Sequence, residues 1–255
     1  MVETIIIIIL FSLVWGSFLN VVIYRVPLGI SIIRPPSSCP HCKKRIKFYD
    51  NIPVFSYLIL GGKCRYCKAK IPISYFLVEV LTPLSFLVLY SQYTLSVHFF
   101  ASCIFTSALI TLGFIDFYHQ ILPDEITLSV LALALVYSFF RKDLTLTQSL
   151  VGAVVGAGFL LLIYGAYFLF RKKEGLGMGD VTMMLMIGAF LGWKQTLFTL
   201  ILASFTGALV GLCFIFFKKK DLQYSLPFGT FLAPAAFVAL IWGERIINAY
   251  LSLYK

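Results

Sequence analysis

The chain consists mainly of long apolar runs that are separated by short polar or charged segments. A helix needs about 20 apolar residues to cross the hydrocarbon core of a bilayer, so runs of this length predict membrane-spanning helices. The sixth run is short for a full crossing, and we expect it to be tilted, re-entrant or shielded by neighbouring helices. The pattern predicts eight spans, at about residues 4–24, 75–90, 97–115, 126–140, 146–170, 181–193, 196–217 and 228–242.

Composition agrees with a membrane location. Hydrophobic residues make up 60% of the chain and charged residues 13%, against roughly 25% charged in a soluble globular domain. The mean hydropathy is +0.93. These values exclude a disordered chain, a disulfide-rich miniprotein and an ordinary water-soluble enzyme. The predicted fold class is an all-α polytopic membrane protein of about eight transmembrane helices, with one small zinc-binding cytoplasmic insert.

The insert occupies residues 25–74, which contain six of the prolines and four of the six cysteines. We therefore predict three parts: a first transmembrane helix (1–24), a cytoplasmic Cys₄ metal-binding domain (25–74) and a seven-helix membrane domain (75–255). The first run has Glu3 and no Lys or Arg before it, and no A-x-A site follows it. These features favour a retained anchor over a cleaved signal peptide.

The net charge of +10 has two possible explanations, which are nucleic-acid binding and membrane orientation. With eight spans, 16 of the 21 Lys and Arg residues fall on one side and five on the other. This asymmetry predicts that the side with more Lys and Arg residues is cytoplasmic and that both termini lie outside. Orientation and contact with anionic membrane lipid account for the charge, and we expect no nucleic-acid partner.

Four cysteines form two C-x-x-C pairs, Cys39 with Cys42 and Cys64 with Cys67, which are separated by 21 residues. Two such pairs can close one tetrahedral metal site. Structural disulfides rarely persist on the cytoplasmic side, so metal binding is favoured. We predict structural zinc, because four protein ligands leave no open coordination position. Rubredoxin-like iron, which would suit an electron carrier, has the same ligand geometry and remains the alternative.

The acidic residues divide into two groups. Six lie in loops or at the termini, where we expect them to be solvated: Glu3, Asp50, Asp143, Glu174, Asp221 and Glu244. Asp116 ends the third apolar run and Asp180 begins the sixth, and ionisable groups there are functional candidates. Paired carboxylates could activate water as in an aspartic protease. Residue types alone equally permit helix caps or a proton- or ion-coupled transporter. Asp124 is expected to be a helix N-cap.

Four blocks of sequence occur in an order that resembles the bacterial type IV prepilin peptidases, which are leader peptidases and N-methyltransferases. The first reads GSFLNVVIYRVP, and the second is the cysteine module followed by ISYFLVEVLT. The third runs from Asp116 to Asp124, and the fourth is the G-M-G-D segment that ends at Asp180. Together the blocks cover nearly the full length of the chain.

The resemblance implies a G-x-G-D membrane aspartyl protease with Asp116 and Asp180 as its catalytic residues. Its substrates would be type IV prepilins and type II secretion pseudopilins, cut after the leader glycine on the cytoplasmic side of the inner membrane. The new N-terminus would then be methylated with S-adenosylmethionine.

The methyltransferase site is less defined. No G-x-G-x-x-G motif lies between a strand and a helix, so a Rossmann cofactor site is unsupported. By resemblance, methylation belongs to the N-terminal part, with Glu79 and residues 16–27 as candidates. Alternatively, Glu79 is a buried acid that pairs with a loop Arg or Lys.

Overall fold

A computed structural model describes residues 2–141, 143–172, 177–218 and 227–253. Helices, turns and irregular loops make up these residues, apart from two isolated β-bridges, which confirms the all-α prediction. The α-helices are α1 (Val2–Arg25), α2 (Phe55–Ile59), α3 (Ile73–Tyr93), α4 (Val97–His119), α5 (Asp124–Ser138), α6 (Leu146–Arg171), α7 (Met178–Leu191), α8 (Trp193–Lys218), α9 (Gly229–Val238) and α10 (Glu244–Ser252). A π-helical turn, Ala239–Gly243, joins α9 to α10.

Six helical segments in the described ranges are long and apolar enough to cross a membrane. They are Val2–Leu28, Ile73–Tyr93, Val97–His119, Leu146–Phe170, Trp193–Cys213 and Gly229–Ser252. The other two predicted spans form shorter helices, α5 with 15 residues and α7 with 14. At 1.5 Å per residue each is roughly 21–23 Å long, less than the hydrocarbon thickness of about 30 Å. A multi-pass membrane protein is confirmed, and the count of eight spans stays a prediction.

The chain separates into two compact units, Met1–Cys103 and Ile104–Lys255. In the first unit α1 packs along α3, and the cysteine-containing segment lies between these helices in the sequence. Many large apolar side chains on α1 remain exposed, including Ile7, Leu10 and Val14. Such side chains suit contact with lipid tails. The division of the chain into three parts, with boundaries after residues 24 and 74, stays a prediction.

Helix α7 is the buried element of the second unit. Ten of its 14 residues are buried, and α5, α6, α8 and α9 all pack against it. A short helix at membrane depth is acceptable when protein surrounds it, because its ends then find partners other than lipid. The structure therefore agrees with the expectation that neighbouring helices shield the sixth apolar run.

Helices α6 and α7 approach each other closely at a pair of glycines. A Cβ atom on Gly152 would overlap the carbonyl oxygen of Gly188, and one on Gly188 would overlap that of Gly152. Small residues of this kind let membrane helices pack backbone against backbone. Helix α6 is held at its start by a capping box, in which Thr145 and Gln148 satisfy each other's backbone N–H groups.

We predict that Gly152→Ala destabilises the protein, because the added methyl group forces α6 away from α7. The expected loss is about 1–3 kcal/mol, typical of overpacking, measured as a lower midpoint of thermal unfolding in detergent. Gly158→Ala on the same helix is the matched control, since a Cβ there has no neighbour within 4 Å. Equal stability of the two variants would contradict the proposed contact.

Candidate active site and metal centre

Asp116 lies one turn before the end of α4 and is 5% exposed. Its Oδ2 atom accepts a hydrogen bond from the backbone N–H of Thr230 at 2.7 Å. The Thr230 hydroxyl lies 3.1 Å from the same oxygen and 3.3 Å from the carbonyl oxygen of Gly113. A carboxylate out of water needs such donors, because each unsatisfied polar group there is costly.

Asp180 occupies the first turn of α7 and is 9% exposed. Its carboxyl group is close enough to Asp116 for electrostatic interaction, and the backbone N–H of Gly229 interacts with both acids. The structure therefore brings the two acids singled out in the sequence into one buried site. The site is built from the end of α4, the start of α7 and the start of α9.

Two glycines leave room for this arrangement. A Cβ on Gly229 would lie 3.0 Å from Asp116 Oδ2, and a Cβ on Gly179 would lie 2.8 Å from the Cβ of Leu122. The distance at Gly179 is too short for a real Cβ contact, and the distance at Gly229 is tighter than most such contacts. Glycine at these positions allows the backbone next to each acid to come close to its neighbours.

Sequence reasoning missed the segment at residues 227–230, Pro-Phe-Gly-Thr, which supplies the donors to Asp116. The signal that could have identified it is a Pro and a Gly directly before an apolar run, which marks the start of a helix.

The prediction that Asp124 is a helix N-cap was wrong in detail. The N-cap of α5 is Pro123, whose side chain cannot cap, and Asp124 is an exposed residue of the first turn. There its charge complements the helix dipole.

The four cysteines of the insert converge at one point. Their sulfur atoms all lie within 4.8 Å of one another, and the Sγ atoms of Cys39 and Cys67 are 3.8 Å apart. A tetrahedral zinc site with Zn–S bonds of about 2.3 Å requires sulfurs about 3.8 Å apart. The cluster of Cys39, Cys42, Cys64 and Cys67 therefore fits structural zinc.

The two C-x-x-C pairs form the same turn. In the first, Cys39 accepts a backbone hydrogen bond from Lys43, and in the second Cys64 accepts one from Lys68. Lys43 and Lys68 both have left-handed backbones, with φ of 57° and 58°. Each turn is closed by one antiparallel bridge. The C-x-x-C-K pentapeptide thus occurs twice in the sequence and forms the same local turn each time.

The thiols of the cluster differ in acidity. Backbone N–H groups of Cys67 and Tyr66 lower the pKa of the Cys64 thiol to about 6. Although the N–H of Ala69 favours the Cys67 thiolate, partial desolvation and the other three sulfurs raise the pKa of Cys67 to about 11. Crowded thiols can all ionise only when a cation balances their negative charge. A divalent metal ion supplies this positive charge when the thiolates are its ligands.

Asp50 was expected to be solvated, and this expectation was wrong. Its side chain is 5% exposed and forms a two-point ion pair with Arg65 in the second cysteine turn. The hydrogen bond from Arg65 holds the pKa of Asp50 below its ordinary value. The pair fixes the turn Phe48–Asn51 against the cysteine cluster, so its role is structural.

Glu79 lies on α3, in the first unit, and accepts the backbone N–H of Val54 at 2.7 Å. The described ranges contain two ion pairs, Arg65–Asp50 and Arg141–Asp143, so the alternative pairing of Glu79 with a loop Arg or Lys is not found there. From residues 16–27, Ser17 and Asn20 form hydrogen bonds with the Glu79 side chain. Glu79 and residues 16–27, the two candidate regions for methylation, are therefore in direct contact.

The fold and sites described above define a multi-pass helical membrane protein with a pair of buried aspartates and a four-cysteine metal module. Comparison with protein families gives two matches. Residues 10–93 match the bacterial peptidase A24 N-terminal domain, and residues 103–212 match the type IV leader peptidase family. The chain belongs to the type IV leader peptidase family, as the four sequence blocks indicated.

Curated relatives match over nearly the whole chain. A protein of Aeromonas salmonicida is 35% identical and one of Pseudomonas putida is 36% identical, each over 95% of this chain and 92% of the relative. A Legionella pneumophila protein is 31% identical over 96% of this chain and 93% of its own length. All three are named prepilin leader peptidase/N-methyltransferase. No solved structure gives a significant match.

We predict that the purified protein contains one zinc ion, and that Cys64→Ser loses it, because three thiolates bind zinc far more weakly than four. Elemental analysis of the detergent-solubilised protein measures this and also detects iron. Cys213→Ser is the control, since Cys213 is an exposed thiol outside the cluster. Equal zinc content in both variants, or iron in the wild-type protein, would contradict the prediction.

Proposed function

We propose that this protein is a prepilin leader peptidase, an aspartic endopeptidase that cuts type IV prepilins or pseudopilins after the leader glycine. The observation that carries the proposal is the meeting of Asp116 and Asp180 at the backbone of Gly229. Two adjacent carboxyl groups in a site shielded from bulk water are what hydrolysis without a covalent intermediate requires. The family match gives no support to the transporter alternative.

The two acids receive different roles in this mechanism. The backbone N–H and the hydroxyl of Thr230 stabilise a negative charge on Asp116 and not on Asp180, so Asp116 accepts a proton from the attacking water. Asp180, next to that charge, carries the proton that polarises the scissile carbonyl. Water attacks the carbonyl carbon, and the nitrogen leaves as an amine after receiving a proton from the dyad.

The second activity is N-methylation of the new N-terminus, which the names of the relatives support. S-adenosylmethionine would supply the methyl group. The four cysteines would hold zinc as a structural ion that folds residues 25–74 and takes no part in the hydrolysis. Neither activity requires nucleic acid, and the expected partners are the prepilin substrate and membrane lipid.

We place the protein in the bacterial inner membrane, with the cysteine module and the aspartate site on the cytoplasmic side. The distribution of Lys and Arg supports this orientation, since ten of them lie in residues 25–74 alone. Asp116 lies in the last turn of α4 and Asp180 in the first turn of α7, and this orientation places both at the cytoplasmic ends of their apolar runs.

Asp116→Asn and Asp180→Asn should each lower the rate of prepilin cleavage by at least about a hundredfold, because each variant lacks one proton-transfer group of the dyad. Loss of the leader on a gel measures cleavage by the purified protein. Asp124→Asn is the matched control, since Asp124 is exposed in the first turn of α5, and it should remain active. Cleavage at the wild-type rate by either dyad variant would remove that residue from the mechanism.

Thr230→Val should lower the kcat of cleavage about tenfold, because the variant removes a hydroxyl donor from the charged Asp116 and keeps the backbone donor. Thr230→Ser retains the hydroxyl and should stay close to wild type. Steady-state kinetics on a prepilin substrate compare the two. Equal activity of Val and Ser variants would show that the hydroxyl does not contribute.

A further inference from the structure

The first unit contains a polar cluster around Glu79 that the proposed hydrolysis does not use. The Oε2 atom of Glu79 accepts the N–H of Val54 at 2.7 Å, and the side chains of Ser17 and Asn20 also form hydrogen bonds with the carboxyl group. Asn20 is buried and donates to the carbonyl oxygen of Tyr75 at 3.0 Å, which fixes its orientation. The cluster thus joins α1, α3 and the segment before α2.

The partners of Glu79 in the described ranges are all neutral. Arg25, the buried cation of the same unit, instead donates to the carbonyl oxygens of Ser31 and Pro35, at 2.9 and 2.7 Å. Acids on membrane helices are normally paired, because an uncompensated charge there is costly. The cluster therefore has the donors that orient a carboxylate and lacks the cation that would balance its charge.

Backbone strain accompanies the Val54 contact. Val54 has φ of 65° and ψ of −54°, a conformation that β-branched residues rarely adopt. Strain of this kind is concentrated at functional sites. Here it directs the N–H of residue 54 at the carboxylate.

A cleft of about 250 Å³ opens beside the cluster. Ser17 lines the cleft and bonds to Glu79, and Pro53 lines it directly before Val54. Its remaining lining residues are mostly apolar: Val14, Phe18, Val21 and Asn51. A carboxylate next to an apolar cleft is complementary to a ligand that has an ammonium group beside a large apolar side chain. The N-terminal residue of a polypeptide that begins with an amino acid such as Phe has both groups.

We propose that Glu79 binds the α-ammonium group of the newly cleaved pilin and removes the proton that blocks its methylation. This proposal rests on the proposed function and adds to it the site of the second activity. The first side chain of the pilin occupies the cleft, and the N–H of Val54 and the amide of Asn20 hold the carboxylate towards the nitrogen.

The proton balance is complete. The ammonium group transfers one proton to the Glu79 carboxylate and becomes a neutral amine. The amine lone pair forms the N–CH₃ bond, and the C–S bond of the sulfonium methyl donor, S-adenosylmethionine, breaks with its electron pair remaining on sulfur. The product is a methylammonium group, and Glu79 later releases its proton to solvent.

The test uses the purified full-length protein, a prepilin and S-adenosylmethionine. Leader loss on a gel reports cleavage, and mass spectrometry of the product reports the methyl group. Glu79→Gln keeps an oxygen that can accept from Val54, so the fold is maintained while the charge is lost. We expect unchanged cleavage and a decrease in methylation of about tenfold at neutral pH, where only about a tenth of a free α-amine is already neutral. Glu244→Gln, a change at an exposed residue, is the control and should leave both activities intact.

A pH series separates proton transfer from a purely structural role. An α-ammonium group loses its proton to solvent above about pH 8. Methylation by Glu79→Gln should therefore recover as the pH rises through this range. A deficit of the same size at every pH would contradict proton removal by Glu79.

Binding gives a readout that is independent of turnover. A synthetic peptide that begins with Phe and has an unblocked α-amine should bind wild-type protein about tenfold more tightly than its N-acetylated form. This preference should disappear in Glu79→Gln. Equal binding of both peptides to the wild-type protein, or normal methylation by Glu79→Gln, would overturn the assignment. Failure of the wild-type protein to cleave prepilin would instead contradict the proposed function.

Discussion

A carboxyl group in a helical membrane protein has to find its hydrogen-bond partners within the protein, and the aspartate site and the Glu79 cluster both follow from this constraint. Asp116 receives the N–H and hydroxyl of Thr230, and Asp180 shares the N–H of Gly229 with it. Glu79 receives the N–H of Val54. In each case a helix start or a strained turn presents backbone donors to an acid, because water does not supply them in hydrocarbon.

The position of α7 makes the aspartate site possible. This helix is too short to cross a bilayer by itself and is surrounded by α5, α6, α8 and α9. Its first residue, Met178, is exposed, and the buried part of the helix begins at Asp180, which lies next to Asp116. The close contact between Gly152 and Gly188 holds α7 against α6, so packing far from the acids contributes to their alignment.

Local patterns in the sequence were sufficient for some features and insufficient for others. The C-x-x-C spacing predicted the metal cluster, since four sulfurs so arranged can close one tetrahedron. Hydropathy predicted all the apolar helices, although it does not distinguish a crossing helix from a short buried one such as α5. Asp50 and Asp124 were misassigned because their partners and backbone positions depend on neighbouring segments. Thr230 was missed because it is 114 residues from Asp116.

The sequence by itself determined the membrane environment of the protein, the metal-binding module and the pair of candidate catalytic acids. These properties follow from composition and short spacings, which depend on residues close together in the chain. Tertiary structure alone decided which backbone groups contact each acid. It also decided that Arg25 donates to carbonyl groups, while Glu79 has no cationic partner in the described ranges. The cleft beside the Glu79 cluster is likewise a result of packing. The reason is that hydrogen-bond partners in these sites come from distant segments of the chain, and only packing brings them within hydrogen-bond distance.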